Sequence, residues 1–481
     1  MSTIPSAPLE GEPVGPSTRP SGQSAARRGA GGKGVKGTSA VVTRRRLIAA
    51  GAVTVPAVAV AATAAGLASR RDPMRSPSVA PSRSDRATRL SFWGGWSGPD
   101  GLVMQRLVHA FNAASRDVQV TLTLYNWDII FDRWRTEFDG GLPPDIVGFH
   151  AVEVAEYAAR GMLYEVSRQA ERHGLHADDY FPPTWRLCRG DGGLYAIPLD
   201  IHPLGLYINA RAAQRAGLDP RRPPRTGAEL LNWAARLTDA ARGTWGYAAP
   251  AGDVEAFRQW YSLLYQYGGR FLDDARTHCL ANSPAGAQAY RFLTDTVDRH
   301  HVAMPSEGSV DADFLAERVM MYAQGPWYIR GMQQAGIPFV TAPLPLIGAR
   351  PAVWANSHVL GVVNTRDAGR AEAAMRFIAW LDHHALDWAE AGQVPARNTA
   401  RARLTTTSIW PYLRPFAAQV PSIVYEPDVA THTSLFAENR PTPVISATRA
   451  VLTGQETPAA AVRIMSEQVD QLIASPVSVT G

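Results

Sequence analysis

The sequence predicts an α/β protein built on a mostly parallel sheet, and three observations carry that prediction. Across residues 90–160 the hydrophobic spacing switches back and forth between the two-residue period of strands and the 3.6-residue period of helices. Glycine and proline pairs punctuate the switches, at Gly94-Gly95, Gly140-Gly141 and Pro143-Pro144. The chain is also long enough, at 481 residues with 46% hydrophobic, to bury the cores that such layers need.

In chain order, residues 1–43 are rich in Gly, Ser, Pro and basic residues and lack the apolar surface to order themselves. Thr43-Arg44-Arg45-Arg46-Leu47-Ile48 then opens an uncharged run to Ala68 made mainly of Ala, Val and Gly. A basic region before an apolar one reads as an export signal, and the arginine pair resembles the twin-arginine type. The segment 44–68 is weakly apolar and interrupted by Pro56, so it reads as a leader that is either cleaved or retained as an anchor. Residues 69–89 read as a linker. Charge follows this division. Residues 1–89 hold 14 Lys and Arg against four acidic residues, so the net +5 of the chain is +10 in the leader and linker and −5 beyond them. A nucleic-acid partner loses its support.

Leu90-Ser91-Phe92-Trp93 is a short strand, followed by a helical stretch with Val103, Leu107, Phe111 and Ala114 on one face. Val118, Val120, Leu122 and Leu124 alternate with polar residues, which predicts a half-buried strand. An amphipathic stretch from Ile129 to Phe138 comes next, then a strand at 145–149 and a helix over 151–160 ended by Gly161. Ser283-Pro284 supplies an N-cap and first helical position, with Tyr290, Leu293 and Val297 inward. Helices are also predicted over 370–384 and 458–473. Ligands of open parallel sheets bind beyond the carboxyl ends of the strands, which points to the loop 94–98 and to His150.

Enzyme signatures are missing: there is no Gly-x-Ser-x-Gly elbow, Walker loop, Rossmann glycine set or His-Glu-x-x-His. The adjacent pairs His300-His301 and His383-His384 diverge on a helix, and Cys188 and Cys279 have no CxxC partner, so no metal or cofactor is expected. Tryptophan stands out instead, with all 13 beyond the linker. Trp134, Trp233, Trp380 and Trp388 fall in helical stretches and read as packing residues. Trp96, Trp127, Trp327 and Trp354 sit beside turn residues or strand ends. An indole on a rigid loop offers a flat apolar face on which a sugar ring stacks, while nearby Asp200, His202, Asn356 and His358 suit its hydroxyls.

Several segments, in order, resemble the extracellular solute-binding proteins, family 1, of carbohydrate ABC importers. They are Phe92–Pro99, Pro143-Pro144-Asp145-Ile146-Val147, Gly192–Asp200 with Leu206-Tyr207-Ile208-Asn209, Tyr267-Gly268-Gly269, Met321–Trp327 and Gly392–Arg397. The resemblance implies a two-lobed α/β fold of the periplasmic-binding-protein type II, with a hinge and a ligand cleft between lobes. It places one lobe at 90–202 plus 356–396 and the other at 203–355 plus 397–481. Cys188 and Cys279 then fall on different lobes and are expected as unpaired thiols. The pocket positions it implies are Trp96, Ser97, His150, Asp200, His202, Trp260, Trp327, Trp354, Asn356, His358 and Arg397, to which the tryptophan pattern adds Trp127.

The expected role is that of a non-enzymatic, monomeric, exported receptor. It takes up a sugar or oligosaccharide and delivers it to membrane permease subunits, touching the membrane only through leader or permease. Arg397 also suits a phosphate or a uronate, so a glycerophosphodiester in the same role is one alternative. An exported glycan-active enzyme, with two facing carboxylates, is another.

Overall fold

The structure, a computed structural model, describes residues 87–250, 254–306, 309–437 and 440–475. The leader read at 1–43 and 44–68, and the linker up to residue 86, lie outside the described residues.

Strand β1 (Thr88–Gly94) turns Leu90 and Phe92 inward, as the alternation requires. Helix α1 (Pro99–Ala114) starts on Pro99, whose missing N–H costs nothing at the first helical position, and buries Val103, Leu107 and Phe111. Strand β2 (Val118–Leu124) returns parallel to β1, in register from Thr88 with Val118 to Gly94 with Leu124. Helix α2 spans Trp127–Asp139, two residues longer at its start than the periodicity indicates. The cause is Asn126, an N-cap whose side chain accepts from the Asp128 amide at 3.2 Å. Strand β3 (Ile146–His150) lies parallel to β1 on its other side. The helix expected over 151–160 is divided into a 3-10 turn at Ala151–Glu153 and an α-helix at Val154–Ala159. Gly161 follows in the left-handed region, at φ 69°.

The first sheet runs β2, β1, β3, His358–Val362, Ala196–Pro198. Only His358–Val362 runs antiparallel to the others, pairing with β3 on one side and Ala196–Pro198 on the other, because it alone arrives from the other half of the molecule. Helix Ala368–His383 covers one face with Ala374, Phe377, Ile378 and Leu381. Arg370, near its start, grips both oxygens of Asp145 at 2.6 and 2.7 Å, a bidentate pair that ties the helix to the end of the sheet.

A second, antiparallel sheet places Gly205–Asn209 between Met321–Gln324 and Phe339–Pro343. Beside it, helices Val254–Gln266, Pro284–Asp298, Pro443–Leu452 and Pro458–Ala474 enclose their own core around Trp260, Phe271, Tyr290 and Met465. Ser283 caps the second of these helices, as expected, by accepting from the Gly286 amide at 3.2 Å.

Between these regions the chain crosses side by side. It leaves the first sheet through Asp200–Pro203 to reach Gly205–Asn209, and it returns through Val353–Asn356 to reach His358–Val362. The two crossings pair antiparallel, Ala355 with Pro203 and Asn356 with His202. Val394–Pro395 and Ile423–Val424 flank them. All described residues belong to one compact unit. Cys188 is buried in the first core and Cys279 in the second, both as free thiols. Among the described residues no helix is long and apolar enough to cross a membrane.

Candidate functional site

The carboxyl ends of β1, β2 and β3 all open onto one cavity of about 350 Å³. That is where an open parallel sheet presents a ligand site, because the chain reverses there and leaves a crevice. Ser97 comes from the loop after β1, Trp127 from the turn after β2, and His150 is the last residue of β3. The first crossing strand brings His202, His358 opens the strand that follows the second, and Trp327 completes the wall.

Strand register explains why the imidazoles gather. His150 and His358 face each other across the antiparallel pair of β3 with His358–Val362. His202 pairs with Asn356, two residues before His358. Ring centroids are consequently 5.4 Å apart for His150 and His358, 4.4 Å for His202 and His358, and 6.0 Å for His150 and His202. Trp127 stacks on His150 at 4.5 Å and on His358 at 5.2 Å, so the indole and two imidazoles form one aromatic wall.

Beneath that wall lies Asp200, fully buried. Its carboxylate accepts from His202 Nδ1 at 3.0 Å, His358 Nδ1 at 2.8 Å, the His358 amide at 3.0 Å and Trp388 Nε1 at 2.8 Å. An ionised carboxylate only accepts, so each of the two rings carries a proton on Nδ1. Burial by itself would raise the Asp200 pKa. The His358 charge and the two imidazole hydrogen bonds outweigh it and hold the carboxyl well below its usual range. His202 is pushed down to about 4, first by burial and then by neighbouring His358. His150 is driven well below its ordinary value, by burial first and then by His358, His202 and Arg258.

The structure separates the twelve residues singled out in the sequence. Ser97, Trp127, His150, His202, Trp327 and His358 line the cavity. Asp200 stands behind two of them as a positioning group. Trp96 does not reach the cavity. It is 0% exposed and fills a slot lined by Gly94 and Gly148, where any Cβ would collide with the indole. Trp260 is likewise 0% exposed, stacked on Tyr290 in the second core with Nε1 bonded to the Gly286 carbonyl at 3.0 Å. Trp354 is buried behind the wall and donates to Glu426 at 2.7 Å. Asn356 lines a smaller pocket of about 30 Å³ on the far side of Trp127 and His150. Arg397 is turned away from the cavity, ion-paired with Asp382 and Asp179.

Three charged residues in the cavity, Asp100, Glu255 and Arg258, escaped the sequence reading. Arg258, 6% exposed, lies 4.4 Å from the Trp354 ring and 5.3 Å from the Trp327 ring, with Glu255 at 2.8 Å. Trp260 sits two positions on, about 200° around the same helix, so the residue facing the cavity is the arginine. Asp100, in the first turn of α1, also lines the cavity, and burial raises its pKa. Its signal was Gly98-Pro99-Asp100, a helix start directly after a strand-end loop.

A profile of bacterial extracellular solute-binding proteins matches residues 106–408. The chain belongs to that family. The solute-binding protein is 26% identical over 235 residues to the sn-glycerol-3-phosphate-binding periplasmic protein UgpB of Escherichia coli strain K12, which covers 47% of this chain and 51% of the relative. It thus spans about half the length of that curated relative. Among solved structures, the GacH receptor of Streptomyces glaucescens, described unliganded and with acarbose, superposes with a TM-score of 0.70 at 22% identity, covering 81% of this chain and all of the other. UgpB from Mycobacterium tuberculosis in complex with glycerophosphocholine gives 0.70 at 18% identity, over 80% of this chain and 98% of the other. These likenesses establish the two-lobed periplasmic-binding-protein fold for this solute-binding protein.

Proposed function

We propose that this solute-binding protein captures a carbohydrate in the 350 Å³ cavity and delivers it to the permease subunits of an ABC importer. The observation that carries the reading is the pairing of aromatic faces with fixed polar groups. Trp127 and Trp327 stand on different walls, with the imidazoles, Ser97, Asp100 and Arg258 between them. Indole faces take the C–H face of a sugar ring, while lone pairs on the His150 and His202 imidazoles and N–H groups of Arg258 meet its hydroxyls. Binding without turnover fits the acids of the cavity. Asp100 accepts from the Gly101 amide at 2.9 Å and Glu255 is paired with Arg258, so neither is arranged as a general acid facing a base.

The lobes proposed at 90–202 plus 356–396 and 203–355 plus 397–481 would close over the solute about the crossing strands, in a monomeric receptor exported by its twin-arginine leader. Lysine at both Arg44 and Arg45 is expected to abolish export, read as accumulation of the chain inside the cell. The central test is calorimetry of the purified protein against mono- and oligosaccharides, with product analysis after long incubation. Tight binding with no product is expected. No binding by any carbohydrate removes the proposal, and release of shorter sugars replaces it with a glycan-active enzyme.

A glycerophosphodiester in the same role is the second reading, and Arg258 is the observation that favours it. Its guanidinium is buried against the cavity and can meet a phosphate with two parallel N–H donors. The Arg258→Met variant separates the two. A phosphodiester should lose roughly 100-fold or more in affinity, because charge-assisted bonds are worth about 1.5–3 kcal/mol each. A neutral sugar should lose about tenfold or less. Gly95→Ala offers an independent probe of the aromatic wall. A Cβ there would overlap the Trp127 indole, so the ring must leave its place. Affinity for either class of solute is expected to fall by roughly tenfold, the upper range of an aromatic contact.

A further inference from the structure

The geometry points to a metal site on the floor of the cavity, in which His150, His202 and His358 together hold one zinc-like divalent transition-metal ion. Each residue offers one ring nitrogen, and the three nitrogens lie within 4.8 Å of one another. Three imidazoles on a tetrahedral ion, with bonds of about 2.0–2.1 Å, sit roughly 3.3 Å apart, so ordinary side-chain rotation closes the remaining gap.

The surroundings are arranged as such a site requires. Metal-bound imidazoles usually donate their second nitrogen to a carboxylate, which fixes ring orientation and makes the ligand nitrogen a better donor. Asp200 does this for two rings at once, through separate oxygens, at 3.0 Å to His202 and 2.8 Å to His358. The Nδ1 atom of His150 faces Glu153 at 4.0 Å. A hydrogen-bonded network built only to stiffen the crossing strands would account for Asp200, His202 and His358. It gives no reason for the third imidazole, which comes from the end of β3 and is set in place by Trp127.

Imidazole nitrogens select late first-row ions over magnesium or calcium, which prefer oxygen. Three protein ligands leave a fourth position open, as in sites that bind an exchangeable group, and all three residues line the cavity. Resting on the reading of that cavity as a solute site, the open position is where an oxygen of the captured solute would bind. The ion would then anchor the solute while the tryptophans sort its shape.

The test is a titration of the full chain, stripped with EDTA and carrying no histidine tag, with ZnCl2 and separately with CoCl2. One equivalent of either ion should bind, and cobalt should show the intense visible bands of a four-coordinate site. His150→Gln should weaken binding by at least tenfold and His202→Gln should do the same, while the exposed His109→Gln leaves it unchanged. Thermal unfolding of each variant shows whether it is folded. His150→Gln keeps the test valid if His202→Gln is not, since His150 lies outside the Asp200 network. No binding at one equivalent, or equal binding by folded wild type and His150→Gln, overturns the proposal. The titration needs no sugar, so failure of the carbohydrate panel leaves its result standing. A panel solute that binds EDTA-treated and zinc-loaded protein equally would overturn the role given to the open position.

Discussion

Asp200→Ala should destabilise the folded protein by about 3–5 kcal/mol and abolish solute binding by whatever remains folded. Few side chains here carry as many obligations. The carboxylate receives two imidazoles, one backbone amide and the Trp388 indole, with no water-accessible surface of its own. Alanine leaves four buried donors facing an apolar methyl group. It also frees both imidazoles to rotate, so the ring edges they present to the cavity are no longer directed. Urea unfolding and calorimetry would measure the two effects on one sample. Asp200→Asn is a sharper comparison, since it keeps the volume and one acceptor oxygen but turns the second position into a donor that opposes one ring. Loss of stability below about 1 kcal/mol in Asp200→Ala would mean the network is dispensable, against the burial described here.

Trp96→Ala should cost about 3–5 kcal/mol of stability, the range for removing a large aromatic from a core. The sequence places Trp96 in a glycine-rich strand-end loop, which reads as an exposed stacking platform. The fold turns the indole inward instead. It meets Phe92, Trp127, His358 and Trp388 edge-on, with centroids 5.4–5.9 Å apart. Two of those rings belong to the cavity wall, so affinity should fall as well, through misplacement of Trp127 and His358. Trp96→Phe should recover part of both. A variant with unchanged unfolding midpoint and lowered affinity would instead make Trp96 a direct ligand contact.

These two positions show how far local reading carries. The alternation at 118–124, the Ser283-Pro284 helix start and the glycines and prolines between elements are local signals, and the elements formed where they indicate. The position of the cavity was legible as well. Strands β1 to β3 are parallel, and the loops beyond their carboxyl ends are the ones that meet. The choice between Arg258 and Trp260 was not legible. Both lie on a helix flanked by packing on several sides, and a one-dimensional pattern does not say which face meets solvent. Arg397 was misread for a similar reason. Nothing nearby in sequence announces Asp179 and Asp382, which lie 218 and 15 residues away and hold it from the cavity.

By itself the sequence determined the α/β class, the order of the elements, the family and the loops that open onto the cavity, because each depends on short-range periodicity and on motifs read in order. Only the tertiary structure decided which side chains line that cavity. Trp96 and Trp260 went to cores because their apolar area is worth more buried than shared with a cavity. His150, His202 and His358 came together through the registers of two strand pairs, the crossing strands and β3 with His358–Val362, and register is a property of chain segments about 150 to 210 residues apart.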